Sequence, residues 1–542
     1  MKLTLLTGAV IGLALQVSGQ SFQSVDTNSV RMGINADGSH FWNGAFSQHE
    51  VPKGSGLSTL FAGEWWIGGF DQGGSLHLAA QTYRQTGWDF RQGPVNSTGQ
   101  LDASYSKVWR ISQQDVLTHQ AQFQDPNYVI PQDILTWPGN GDVSNGEAAQ
   151  LAPYFDVNGN GIYEPLQGDF PCIRGDQAVY AIYSDQREVQ IGNGLDMDVE
   201  VHTMLYQFAP VPGAEFLDSI VFSHTEVYSR GTNGFSGVYM GHYVDFDIGI
   251  WDDDFFACDV ARNLVYGQNG DGNDQGGYGT QPPAQGVLLL GAPEAPLQDG
   301  VDNDHDGIID EPGEQLGFSS AMAFDGSNGA LGIPSSLFEY YNCLTAHWAD
   351  GTPLTRNGGN GHAPTGGTGP TTNFLYPGNT DPAWPGGTWS ESTAGNTAGE
   401  RRALMNIGPM DLDIGDHFGI DLAYVFATDE GIGTSRLVQV ADSVRDWFDV
   451  QSFSCSSTIG LADEAEVEFS LFPNPVHNEL HVQIQAPVEV EWKLYDLSGQ
   501  LIREGRSDVP VFTLDLENLA AGSYLFEVSG QGLYATKPLV KQ

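Results

Sequence analysis

Glycine and proline limit this chain more than any other feature. With 69 glycines and 28 prolines in 542 residues, apolar segments are cut every few residues by turn formers, so long helices are disfavoured and short strands favoured. Aromatics at 11% fit the same β-rich reading. The length exceeds the roughly 250–300 residues that one core supports, so more than one domain is expected. The predicted fold class is mostly β: a multi-domain, β-sandwich-like body followed by a small C-terminal Ig-like antiparallel β-sandwich.

Charge narrows the partners. There are 68 acidic residues against 21 basic ones, a net charge of −47. Such a surface repels phosphate backbones and anionic lipid, so no nucleic-acid partner is expected. Cations are the natural partners, although part of the acidity serves solubility alone.

The chain opens with Met1-Lys2, an apolar run from Leu3 to Leu15, and Gln16-Val17-Ser18-Gly19. A basic start, a short apolar core and a small-residue end predict a signal peptide over 1–19. No later run reaches the ~20 apolar residues of a span, so no transmembrane segment is expected after its removal. Cys172, Cys258, Cys343 and Cys455 permit two bridges in three connectivities.

From about Val467 the pattern becomes a clean alternation. Leu480 and Val482 alternate with His481 and Gln483, Trp492 and Leu494 with Lys493, and Phe526 and Val528 with Glu527. Period-two segments between turns predict an antiparallel sandwich over 467–542. A polar, acidic linker over 456–466 and a β-rich body over 20–455, with two subdomains, precede it. The motifs Phe472-Pro473-Asn474-Pro475, Leu494-Tyr495-Asp496-Leu497-Ser498-Gly499-Gln500, Leu519-Ala520-Ala521-Gly522-Ser523-Tyr524 and Lys537-Pro538-Leu539-Val540-Lys541 resemble the type A sorting domain of the type IX secretion system. The resemblance implies that this module engages the type IX secretion machinery. It also implies a secreted or cell-surface protein.

Three acidic segments are candidate Ca²⁺ sites. In Asp302-Asn303-Asp304-His305-Asp306-Gly307-Ile308-Ile309-Asp310, carboxylates at alternate positions converge when the chain curls. Gly307 permits the turn, Ile308 offers its carbonyl, and Asp310 closes the shell, with Glu311 or Glu314 as helpers. The run resembles a thrombospondin type 3 or EF-hand-like loop, but Gly313 stands at the twelfth position where the family has a bidentate Glu. Asp156, Asn158, Asn160, Ile162 and Glu164 have the same spacing and are similar to a dockerin-type loop, with Asp169 as a substitute closing ligand. Asp245 and Asp247 alternate on one strand and share a face, fit for a metal, a catalytic pair or plain polar chemistry. Asp252, Asp253, Asp254 and Asp259 follow nearby. The alternative is a solvated acidic turn for the 302–310 run and a plain Asx-rich turn for the 156–164 loop.

Gly63-Glu64-Trp65-Trp66-Ile67-Gly68-Gly69, Asp245-Phe246-Asp247-Ile248-Gly249 and Glu400-Arg401-Arg402-Ala403-Leu404-Met405 resemble segments of an uncharacterised family of exported Bacteroidetes proteins. That likeness implies location and no activity. Searches for a zinc helix, a nucleophile elbow, a phosphate loop or a Cys-x-x-Cys pair find none. His202, His224 and His242 fall on neighbouring strand-like segments. Arg174-Gly175-Asp176 spells an adhesion tripeptide, and Trp384 and Trp389 in the Gly/Thr/Pro-rich 351–400 stretch fit either sugar stacking or loop anchoring. The expectation is a calcium-stabilised, non-catalytic adhesion, glycan-binding or structural protein. The alternative is a polysaccharide hydrolase using carboxylates such as Asp245, Asp247 or Glu226.

Overall fold

The computed structural model describes residues 21–451 except 84–88, 187–193, 297, 306, 328 and 429–433. It further describes 453, 469–472, 476–484, 490–496, 501–507, 509, 511–517, 519–520, 522–530 and 533–541. The expected signal peptide and linker, Asp306, Cys455 and residues 473–475 of the Phe-Pro-Asn-Pro motif lie outside the described residues. The chain divides into two compact units, Met1–Cys455 and Ser456–Gln542.

The first unit is built on two large antiparallel sheets. One runs Asp254–Asp259, Leu264–Asn269, Ala284–Gly291, His417–Ala427, Ile220–Ser229, Val199–Gln207, Gln177–Ser184 and Arg91–Gln92, with Trp109–Ser112 also paired to Gln177–Ser184. The other runs Phe318–Phe324, Arg401–Leu412, Phe235–Phe246, Leu60–Asp71 and Leu76–Ala79. Alternation explains how the central strands are buried on both faces. In His417–Ala427, Ile420, Leu422 and Tyr424 join a core shared with Trp65, Met240 and Leu404 of the other sheet. Ala423, Val425 and Ala427 enter a second core on the opposite face. Polar bonds also cross between the sheets: the Tyr424 hydroxyl meets His242 Nε2 at 2.9 Å, and Thr59 Oγ1 donates to Gln285 Oε1 at 2.7 Å.

The second core is covered by a 15-residue helix, Thr434–Phe448. Its buried residues Leu437, Val440, Ala441 and Val444 form one helical stripe. That period is present in the sequence, set among the short strand-like runs and turns that dominate the body. No helix among the described residues is long and apolar enough to cross a membrane.

The 351–400 stretch is irregular, with only a four-residue helix at Glu391–Ala394 among its described elements. Aromatic side chains pin it. The indole N–H groups of Trp348 and Trp389 donate to the carbonyls of Gly361 and Gly358 at 3.1 Å each, and the Tyr376 hydroxyl donates to that of Gly359 at 2.6 Å.

The second unit holds a three-stranded sheet (Phe469–Phe472, Glu479–Ile484, Val511–Asp515) and a four-stranded one (Leu501–Ser507, Val490–Asp496, Gly522–Gly530, Leu533–Lys541), both antiparallel. Leu480, Val482, Trp492, Leu494, Phe526 and Val528, the apolar members of the alternation, form its core.

Candidate functional site

Strand pairing assembles an acidic centre from two distant segments. Phe235–Phe246 lies between Leu60–Asp71 and Arg401–Leu412, and its Asp245 pairs with Arg402. Asp247 follows that strand and Glu400 precedes the partner strand, so oxygens of Asp245, Asp247 and Glu400 come within 4.8 Å of one another. Asp245 is 1% exposed, and its Oδ1 accepts no hydrogen bond. Arg402 answers part of the charge: its Nε stands 3.5 Å from Asp245 and its Nη2 3.2 Å from Glu400, while the guanidinium also donates to the Tyr83 hydroxyl. Burial, and then the charge of Asp247, push the Asp245 carboxyl well above its usual range. Three carboxylates facing one guanidinium carry surplus negative charge, and hard oxygen donors at this spacing suit Ca²⁺. Nearby Glu64, also 1% exposed, has no hydrogen-bond partner for either oxygen. Burial, then the charges of Asp245 and Asp37, hold it well above the ordinary range.

The 302–310 loop brings a second group of carboxylates together, with Glu314 rather than Asp310 beside Asp302 and Asp304. Asp302, Asp304 and Glu314 bring oxygens within 4.8 Å of one another. Gly307, at φ 95°, makes the expected turn and donates to Asp302 Oδ2 at 3.1 Å. Asp310 does not join this trio: both its oxygens accept from the Gly300 amide at 3.2 Å. Glu314 comes close instead because Gly313 adopts φ 85° and Glu314 Oε1 accepts from the Asn303 amide. The Ile308 side chain is exposed.

The 156–164 loop curls on itself. Asp156 accepts from the amides of Gly159 and Gly161 at 2.7 and 2.6 Å, and Asn158 and Asn160 accept from Asn160 and Ile162 at 3.1 and 2.8 Å. The Asn160 side-chain amide donates to Glu164 at 2.6 Å. Asp169 accepts from Val157 and Glu164 at 2.9 and 2.7 Å, which ties it to the loop. Burial works against it, but the Gly161 and Gly159 amides hold Asp156 below the usual carboxylate range. Among the described residues, trios of carboxylates occur at the other two centres and not here.

The three histidines separate. His242 belongs to the five-stranded sheet, whereas His202 and His224 share a face of the larger one. His202 lies between the Glu200 carboxylate (3.0 Å) and the Tyr180 hydroxyl (2.9 Å). His224 is clamped by two carboxylates, with Nδ1 2.9 Å from Asp421 and Nε2 2.8 Å from Glu226, and Arg174 donates to the same Asp421 oxygen at 2.6 Å. Each ring nitrogen faces a carboxylate oxygen, an arrangement that favours the imidazolium, which donates to both. Although burial opposes the charge, its two carboxylate bonds raise its pKa, and Glu226 and Asp421 are held low in return. The stabilisation from His224 is complete below its unfolded pKa of about 6.5 and fades as pH rises through its higher folded value. Nitrogen-detected NMR at pH 7 is expected to show both His224 nitrogens protonated; a neutral ring would contradict the clamp.

Other expected residues prove to be anchors. Arg174 is bound by Asp421, and Asp176 of the same tripeptide accepts from the Ala209 amide at 2.8 Å. Trp389 is buried, and Arg356 lies over the Trp384 ring at 5.1 Å. Cys172 is disulfide-bonded, while Cys258 and Cys343 are free and buried. In the sequence, Glu400 and Arg402 stand out only as part of a family-like segment. No spacing rule links them to Asp245, since the register of two strands some 155 residues apart makes the meeting.

Residues 470–542 match the family model of the secretion system C-terminal sorting domain. This end of the chain is a type IX secretion sorting domain, which directs export to the extracellular space or the cell surface. No curated protein matches the chain. Among solved structures, a polysaccharide lyase aligns over 63% of this chain at 7% identity with a TM-score of 0.19. The aligned region spans 34% of that enzyme's length, and the likeness is too slight to assign a fold or an activity.

Proposed function

We propose that this exported chain is a calcium-stabilised β-sandwich protein that binds glycan outside the cell without catalysing a reaction. The observation that carries the calcium reading is Asp245 Oδ1, buried and without a hydrogen bond, within 4.8 Å of carboxylate oxygens from Asp247 and Glu400. A buried carboxylate beside two others is costly unless a proton or a cation joins it, and Arg402, 3.5 Å from that oxygen, balances only one of the three charges. The Asp302–Asp304–Glu314 centre supports a second ion, and the 156–164 loop a weaker third, since amides replace carboxylates at two of its positions. Ions scarce in the cytosol and plentiful outside would then lock the fold after export.

Hydrolysis has less support. It needs a proton-bearing carboxyl and an ionised partner, both open to substrate. Glu226 is held ionised by His224, and Asp245 is sealed from solvent.

The test is a Ca²⁺ titration of the chelated, purified protein, followed by melting temperature and protease resistance. At ~100 times the dissociation constant each site is expected to add about 2.7 kcal/mol. Asp245→Asn and Asp302→Asn should each remove part of the rise. Unchanged melting and digestion across the titration would end the calcium reading.

A further inference from the structure

The larger sheet, the helix that covers it and the 304–316 segment line an open pocket of about 520 Å³, within the ~300–1,000 Å³ range of ligand sites. Leu290 and Leu316 form apolar wall, joined by Phe448 near the helix end. The polar wall carries Asp304, Asp421, Asp449 and Arg445, with the side-chain amides of Gln315 and Gln451. Asp304 is also one of the three carboxylates of the second acidic centre, so that centre and the pocket share a wall.

The charges select the ligand. Three carboxylates against one guanidinium, on a chain of net charge −47, disfavour an anion. Arg445 is committed to backbone carbonyls, donating to those of Leu289 and Arg262. An ammonium ligand has little to gain either. Asp421 already receives Arg174 and His224, and Arg445 lies within electrostatic reach of Asp449 and Asp304. What remains is hydrogen bonding: carboxylate oxygens to accept from hydroxyls, the Gln315 and Gln451 side-chain amides beyond their bonds to the Ala292 amide and the Trp447 carbonyl, and apolar side chains to cover C–H surface.

We propose that this pocket is the glycan site of the protein and that it takes a neutral, hydroxyl-rich saccharide. The proposal rests on the glycan-binding reading above and adds its location and ligand class. A cation at Asp302, Asp304 and Glu314 would order the shared wall, so chelation is expected to weaken binding.

Native electrophoresis of the full chain through gels containing a neutral β-glucan, a neutral galactomannan or the polyuronate alginate tests it. Retardation by at least one neutral gel, and none by alginate, is expected. Ala292→Trp, which fills the pocket rim at a half-buried position, should weaken the apparent affinity at least about tenfold, equivalent to about 1.4 kcal/mol, while leaving the Ca²⁺-dependent melting shift intact. Should Ala292→Trp fail to fold, Asp449→Ala on the exposed rim is expected to weaken retention in the same direction. Retention equal in wild type and in the folded rim variants would overturn the pocket and leave glycan binding standing. Retention by alginate alone would overturn the ligand class, and absence of retardation in every gel would overturn both the pocket and the glycan reading. The melting titration judges calcium separately.

Discussion

Between pH 7 and pH 4, His49 is expected to withdraw about 3 kcal/mol from the folded body. Burial lowers its pKa from 6.5 to about 3, and no carboxylate offsets that desolvation. Its Nδ1 serves as an acceptor for the Thr59 amide at 3.4 Å, a role open only to the unprotonated nitrogen. The neutral ring is favoured in the fold, so the unfolded chain binds the extra proton below pH 6.5 and stability falls as pH drops toward the folded value. The size follows from about 2.5 pH steps at 1.36 kcal/mol each. His40, lowered to about 4 by burial, acts in the same direction. Glu64, Asp185 and Asp254, all raised by burial, act in the opposite one, because their folded forms gain protons first as pH falls. The total curve therefore mixes both signs, and a difference isolates the histidine. Urea unfolding of His49→Asn, which keeps an acceptor near Thr59, should lose less stability than wild type over this range by about 3 kcal/mol. Parallel curves for the two proteins would show that His49 titrates normally in the fold.

Replacing Glu391 by alanine is expected to cost about 3–5 kcal/mol. Glu391 is 2% exposed and accepts from Arg401 Nε at 2.8 and 3.0 Å and from Nη2 at 2.7 Å. It also takes the Phe256 amide at 2.8 Å and the Asn396 side chain at 3.2 Å. Removing it would leave a largely buried guanidinium without its carboxylate and a strand amide without its acceptor. The loss would exceed the net worth of the pair, since most of it is the desolvation of the survivors. Arg401 also joins the irregular 351–400 stretch to the strand that begins beside Glu400, donating to the carbonyls of Thr397 and Glu400 at 2.8 Å each. Glu391→Ala is therefore expected to weaken the Ca²⁺-dependent melting shift as well. The double variant Glu391→Met, Arg401→Met should recover much of the stability, because no buried charge is then stranded. A single variant as stable as wild type in urea would mean that the pair is solvated.

Local pattern was enough for much of the protein. The alternation of Leu480, Val482, Trp492, Leu494, Phe526 and Val528 reports a strand face directly, because successive side chains in a strand point to opposite sides. The terminal strands were therefore readable residue by residue, while the sorting motifs were legible only through their resemblance to a known domain. The convergence of Asp302 and Asp304 was readable too, as was the turn at Gly307, because such loops depend on neighbours within a dozen positions. The helix Thr434–Phe448 was readable in principle from Leu437, Val440, Ala441 and Val444, yet fifteen residues of helical period were outweighed by the strand-rich surroundings.

Long-range register decided the rest. Asp245 and Asp247 are separated in the sequence by Phe246 alone, but their third carboxylate, Glu400, and the cation beside them, Arg402, arrive through pairing between strands distant along the chain. Glu314 rather than Asp310 stands beside Asp302 and Asp304, brought there by the backbone turn at Gly313 and an amide bond from Asn303. His242 parts from His202 and His224 because its strand was placed in the other sheet. Charge, period and turn chemistry are properties of a few consecutive residues, and the sequence by itself determined them. Which distant donors share a cavity is set by sheet order and burial, and only the tertiary structure decided that.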